Sequence, residues 1–356
     1  MGASTQRRPV HLVGSVPLAN EEEVFRTVSA ILGERVKRLP DGETGVRKGW
    51  IGWQRAVFAR NPALEFVPDS GVGYRGSEPV YRTTSHFRLR PGVSAREIAF
   101  DNLGYADAAR ASYQTFARLK GEGTIPPPTR FLVCLPTPLA PVTGYFALES
   151  RAAVEPAYEA QLLAELGRIC AAIPRDQLAI QWDTAVEFGI LESVWPTHLA
   201  DPQREIIDRL VRLGERVPDD VELGYHLCYG EAGHRHFAQP RDAGHLVAVA
   251  NGICAGVRRP VHWIHLPVPR DRDDEAYYAA LRDLKLHPET ELYLGLVHYT
   301  DGVAGTRKRM AMATKFVTDF GIATECGLGQ RPAETVAPLL AVHRDAADGA
   351  TGGRDS

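Results

Sequence analysis

No stretch of this 356-residue sequence is apolar for long enough to cross a bilayer, and its opening residues, Met1 to Pro9, are polar, unlike a secretory signal. A cytoplasmic protein with no membrane partner is expected. Charge of one sign is also lacking: 41 basic residues face 44 acidic ones, the net charge is -3, and no Lys/Arg block is dense enough to neutralise a row of phosphates. That excludes a nucleic-acid partner. Cysteine is scarce, and five thiols, an odd number spread thinly, exclude a disulfide framework and suit a reducing compartment. No GxGxxG follows an early strand, so the phosphate-binding signature of a dinucleotide fold is missing. No composition break, repeat or low-complexity tract divides the chain, and only the tail, residues 346–356, reads as disordered.

What is present is an ordinary globular composition, 44% hydrophobic and 24% charged, with a regular beat. From Arg130 onward short apolar runs alternate with amphipathic stretches, the pattern of βα units. Candidate strands are 131–137, 178–183, 221–228, 261–266, 291–298 and 321–326, with helices near 157–173, 202–214, 242–252, 274–285, 303–319 and 332–345. Upstream, 10–15 and 35–41 supply two more strands, and a helix lies near 20–33. Eight units predict an α/β fold, a single (β/α)8 TIM barrel over residues 1–345 with a large insertion, about 42–128, after strand 2. A doubly wound open sheet has the same periodicity.

At the C-terminal ends of these strands stand Ser15, Asp41 with Glu43, Thr137, Asp183, His226 with Cys228, His265, His298 and Cys326. In a barrel those positions converge on one mouth. His226 and Cys228 are two apart on a strand and so share a face. With Cys326, which a glycine follows, they make the donor set of a zinc site. Cys134, Cys170 and Cys254 read as core packing. Asp183 serves either as cap of the following helix or as a substrate contact, and Asp41 and Glu43 either as turn residues or as substrate contacts. His298 is either a structural hydrogen-bonding residue or a proton donor. His234, His236 and His245 read as a surface loop.

Six segments carry a resemblance: VGSVP (13–17), DGETGVR (41–47), PTPLAPVTGY (136–145), IQWD (180–183), YHLCY (225–229) and IATECGLGQR (322–331). In kind and order they resemble the C-terminal catalytic barrel of cobalamin-independent methionine synthase and its short single-barrel relatives, in the superfamily that includes uroporphyrinogen decarboxylase. The likeness spans nearly the whole chain. It implies zinc held by His226, Cys228 and Cys326, an amino-acid substrate held by Ser15, Glu43 and Asp183, and a methyl donor approaching Pro141 to Thr143. The sequence departs from the family at the remaining ligand, a Glu ending strand six. His265 stands nearest that position and is the expected fourth ligand, with Glu231, His262 or a water as alternatives. His265 shares a strand face with Trp263, whereas His262 lies opposite. The family's N-terminal half is absent, so folate binding does not carry over.

The expected function is a zinc-dependent methyl or alkyl transferase that activates a small thiol or amino-acid substrate, with Asp183 orienting it and His298 protonating the leaving group. The alternatives are a zinc lyase or hydrolase using the metal as Lewis acid on a small specialised metabolite, and a catalytically inactive zinc- or thiol-binding barrel.

Overall fold

The computed structural model describes residues 7–68, 72–75, 78–83, 86–230 and 236–348. Helix α1 (Glu21–Leu32) shows why the amphipathic stretches coil. Asn20 accepts from the Glu23 N–H, three glutamates sit in the first turn at the positive end of the helix dipole, and Val24, Phe25, Val28 and Leu32 form one buried stripe. Gly33, at φ 53, ends it in a conformation other residues resist.

Seven parallel strands follow in chain order and pair in that order in one curled sheet: β1 (Arg38–Pro40), β2 (Arg130–Pro136), β3 (Leu178–Asp183), β4 (Glu222–His226), β5 (Trp263–Pro267), β6 (Glu291–Val297) and β7 (Gly321–Thr324). Strands β3 and β5 are buried along their whole length, as apolar runs in a sheet covered on both faces must be. The expected strand 10–15 lies between the two sheet edges but forms no ladder. Val10 bridges both Val36 and Ile322, His11 N–H donates to Ile322 O at 2.9 Å, and Val16 N–H donates to Gly42 O at 2.8 Å. Between these points the Val13 carbonyl turns inward, where it accepts from Gln181 Nε2 and the Cys134 thiol. A carbonyl used that way is lost to sheet pairing.

The other long helices are α2 (Tyr105–Gly121), α3 (Leu148–Ala172), α4 (Pro202–Gly214), α5 (Gly244–Gly256), α6 (Gly302–Ala313) and α7 (Val336–Ala347). The pairs α1–α2, α2–α3, α4–α5 and α6–α7 pack directly, shorter helical segments fill the gaps between α3 and α4 and between α5 and α6, and α1 packs on α7. None is long and apolar enough to cross a membrane.

The block 42–128, expected as one insertion, divides. Helix α2 is the crossover between β1 and β2 and packs against α1, α3 and β2. Its first turn is capped from a distance: the Glu165 carboxylate on α3 accepts from the Leu103 and Ala106 N–H groups at 2.8 and 2.7 Å. Before it come a short helix, Arg55–Arg60, and two antiparallel ribbons pairing Leu64–Val67 with His86–Leu89 and Val72–Arg75 with Glu78–Thr83. The tail also differs from expectation. Helix α7 runs to Ala347 with Ala346 and Ala347 buried, and Asp348 pairs with Arg35 at 2.8 Å. Residues 349–356 lie outside the described residues.

Candidate metal and active site

His226 closes β4, Cys228 follows it, and Cys326 lies two residues past β7, so these strand ends deliver three donors to one place. Their ligand atoms lie within 4.8 Å of one another, and the two Sγ atoms are 3.5 Å apart. A tetrahedral zinc with Zn–S bonds of ~2.3 Å would separate two thiolates by ~3.8 Å. Thr184 fixes the ligand strand: its backbone N–H and its hydroxyl both donate to His226 O, and its Oγ1 accepts from the Cys228 N–H. His226 Nε2 is buried and has no hydrogen-bond partner among the described residues, and the set of two thiols and an imidazole suits zinc, so the residues fit the metal that the sequence implies. Burial opposes a thiolate at Cys228. The Cys326 thiol, the His226 ring and the Gly230 N–H outweigh it and hold that thiol below its usual range.

His265, the expected fourth ligand, does not join the three. Its ring points into the barrel, but Nδ1 lies 2.6 Å from His226 Nδ1 and Nε2 lies 3.0 Å from Thr324 O, so both nitrogens are taken. Of the alternatives, His262 sits at the strand's other end with Nδ1 accepting from the Leu223 N–H, and Glu231 lies outside the described residues.

The carboxylates separate by role. Asp41 does the turn chemistry, accepting from the Glu43 N–H at 2.9 Å and pairing with Arg47 at 2.7 Å. Glu43 is thereby free to face the cavity, on a backbone held at φ 50. Desolvation, reinforced by Asp41 and opposed by Arg47, pushes its carboxyl up to about 7. Asp183 is not a helix cap: Glu187 accepts from the Ala185 N–H at the next helix start, and Asp183 Oδ1 accepts from Gln181 Nε2 at 2.8 Å. Burial and then the Glu43 carboxylate raise Asp183 well above the usual range.

One cavity of about 250 Å³ gathers Ser15, Glu43, Asp183, His226, Cys228 and Cys326. Ser15 is held against the turn after Cys326, where its Oγ accepts from the Gly329 N–H at 3.3 Å and a methyl on Gly327 would overlap it. Two other expected positions stay outside. Thr143 is buried in the helix Leu139–Tyr145, its hydroxyl without a hydrogen-bond partner among the described residues. His298 directs Nε2 to Val268 O at 2.9 Å and Nδ1 to Glu325 at 3.5 Å, so neither nitrogen faces the cavity. His236 is a correction: it is buried, 3.2 Å from Glu325 and packed on Tyr229, because a carboxylate beside Cys326 draws it in. His234 lies outside the described residues, and His245 is half-buried at the start of α5. Cys170 and Cys254 pack in the core, and Cys134 backs the cavity beneath Gly14.

No family model matches the sequence, and no curated protein matches it. Solved structures do. A B12-independent methionine synthase from Shewanella sp. W3-18-1, in complex with selenomethionine, superposes with TM-score 0.62 at 14% identity over 96% of this chain and 97% of that one. This chain has the B12-independent methionine synthase fold. A Listeria monocytogenes protein provisionally described as a vitamin-B12-independent methionine synthase gives TM-score 0.57 at 14% identity, covering 96% and 98% of the two chains. A methyltransferase from Methanosarcina mazei gives 0.54 at 12% identity over 97% and 95%. The expected methionine-synthase-like barrel is thus borne out.

On this methionine synthase-like barrel the cavity has two features that the sequence reading missed. Gln181 is buried at the hub of a network, accepting from Trp263 Nε1 at 3.1 Å, meeting His11 Nε2 at 2.7 Å and donating to Asp183. Its signal was legible, because Gln181 is two residues from Asp183 on β3 and must share its face. The other is a wall of Trp50, Trp195 and Phe237, the last two with ring centroids 4.9 Å apart. It is assembled from three loops, and no local pattern announces it.

Proposed function

We propose that this barrel is a zinc-dependent methyl or alkyl transferase acting on a small thiol that also carries an ammonium group. The observation that supports it is the meeting, in one cavity, of a Cys–Cys–His donor set with two carboxyls, Glu43 and Asp183, that make no ion pair among the described residues. Desolvated carboxyls without a cation are costly, which is why both are pushed toward the protonated form; a substrate ammonium would satisfy them. The selenomethionine held by the Shewanella protein supports an amino-acid substrate.

In this reading His226, Cys228 and Cys326 would hold zinc, which would supply a cation that favours the thiolate form of the substrate at neutral pH. Glu43 and Asp183 grip the ammonium group, Gln181 orients Asp183, and Ser15, whose oxygen already accepts from Gly329, turns its proton to the substrate. The aromatic wall keeps water from the reacting sulfur. The substrate sulfur then attacks the alkyl carbon, forming a C–S bond as the bond to the leaving group breaks. Glu325, which burial opposes but His236 and His298 hold well below the usual carboxylate range, anchors the Cys326 turn. The same reading takes residues 1–345 as one barrel closed through 9–16, with 42–104 as an excursion, in a reducing compartment such as the cytoplasm.

Elemental analysis of the native protein beside Cys326→Ser is the first test. About one zinc per chain, lost in the variant, followed by thioether formation from an amino thiol and a methyl donor, is the expected result. Native protein free of zinc removes the activated thiol. Zinc with no affinity for thiols, and hydrolysis instead, moves the assignment to Lewis-acid chemistry.

A further inference from the structure

We infer that His265 is a positioning residue that fixes the tautomer of His226 and aims its Nε2 at the metal. This rests on the zinc reading above, but its geometry is independent of it. His265 Nε2 lies 3.0 Å from Thr324 O, a carbonyl that can only accept, so Nε2 carries a proton and donates it. That leaves His265 Nδ1 facing His226 Nδ1 at 2.6 Å, a gap with room for one proton. Were the proton on His265, that ring would be an imidazolium, fully buried, with no carboxylate among its hydrogen-bond partners in the described residues, and His226 would carry its remaining proton on Nε2, a buried atom with nothing there to accept it. Placing it on His226 leaves both rings neutral. His226 Nδ1–H then donates to His265 Nδ1, and His226 Nε2 keeps the free lone pair that a metal requires.

The relay also couples the two ligand strands. His226 and His265 are register partners on β4 and β5, their ring centroids 4.8 Å apart, whereas Thr324 ends β7, two strands further on. Thr324 Oγ1 in turn donates to Cys326 O at 2.7 Å. One chain of hydrogen bonds therefore runs from the imidazole ligand through His265 to the backbone of the residue that supplies the second thiol. A side chain able to accept at one end and donate at the other can replace it, and an aliphatic one cannot.

The test is zinc affinity, measured with zinc ion alone against a chromophoric chelator, for the native protein, His265→Gln and His265→Leu, together with ¹⁵N shifts of His226 in metal-free native protein. Removing such an outer partner is expected to weaken zinc by ~10–100-fold. His265→Leu should show that loss with its thermal transition retained, His265→Gln should recover most of the affinity, and metal-free His226 should be protonated at Nδ1. Zinc bound by His265→Leu as tightly as by native protein, or His226 protonated at Nε2, overturns the inference. Failure of the native protein to bind zinc at all overturns the proposed function instead, and the nitrogen shifts still decide the relay.

Discussion

Each of the two cavity carboxyls has its own consequence. If they grip a substrate ammonium, Asp183→Asn and Glu43→Gln each remove a charge-assisted hydrogen bond of ~1.5–3 kcal/mol. The expected outcome is a rise of about tenfold or more in KM for the amino thiol, with a smaller change in kcat, read by steady-state kinetics; an unchanged KM in both variants would remove the ammonium from the site. Glu43 also has a stability signature. Its folded value, about 7, lies above the ordinary 4.5, so the native state binds the extra proton. That contribution is complete below 4.5 and is lost as pH rises toward 7. Relative to Glu43→Gln, which keeps the neutral form, the native protein without substrate should therefore lose stability across that window in thermal melts. The reading of residue types was sound where alternation applied, since it placed His226 with Cys228 and His265 with Trp263 on inward faces. Alternation fixes a face and not a depth. His265 lies one layer too deep for the sulfurs, and only the distances to Thr324 O and His226 reveal it.

Among the elements, those visible in the sequence were the ones whose cause is local. Strands β2 to β7 are short, mostly apolar runs with their polar residues at particular positions, and α1 has its cap and stripe within its own segment. Those that escaped depend on distant partners: α2 is capped by Glu165, and residues 9–16 meet the sheet at single bridges because Val13 O serves Gln181. One strand position has a use that no periodicity signals. Gly224 on β4 stands where a methyl would overlap the Trp263 ring, which lies across the interior beneath the site and itself donates to Gln181. Trp263 is fully buried and Arg38 covers its face at 4.2 Å, so the ring has nowhere to retreat. Gly224→Ala is expected to destabilise the fold by ~1–3 kcal/mol in urea unfolding, as overpacking does, and to loosen Asp183 through Gln181. A variant as stable as the native protein would mean the barrel interior is less tightly filled than this.

For the whole molecule, the donor triad joins strands far apart in the chain: Cys228 and Cys326 are separated by 98 residues. Zinc bound by both would add a cross-link that the unfolded chain cannot reproduce without first closing that loop, so metal affinity becomes folding stability. At free zinc about a hundredfold above Kd the gain is ~2.7 kcal/mol, which for a chain of this length raises Tm by a few degrees. Chelation should therefore lower Tm of the native protein by that amount and leave Cys326→Ser, already without the link, unmoved. The comparison separates a bridging ion from one bound elsewhere, because an ion held away from the triad would stabilise both proteins equally. The apo barrel should still melt as one folded unit, since its buried core is continuous around the sheet and its helices pack in a ring independently of any metal.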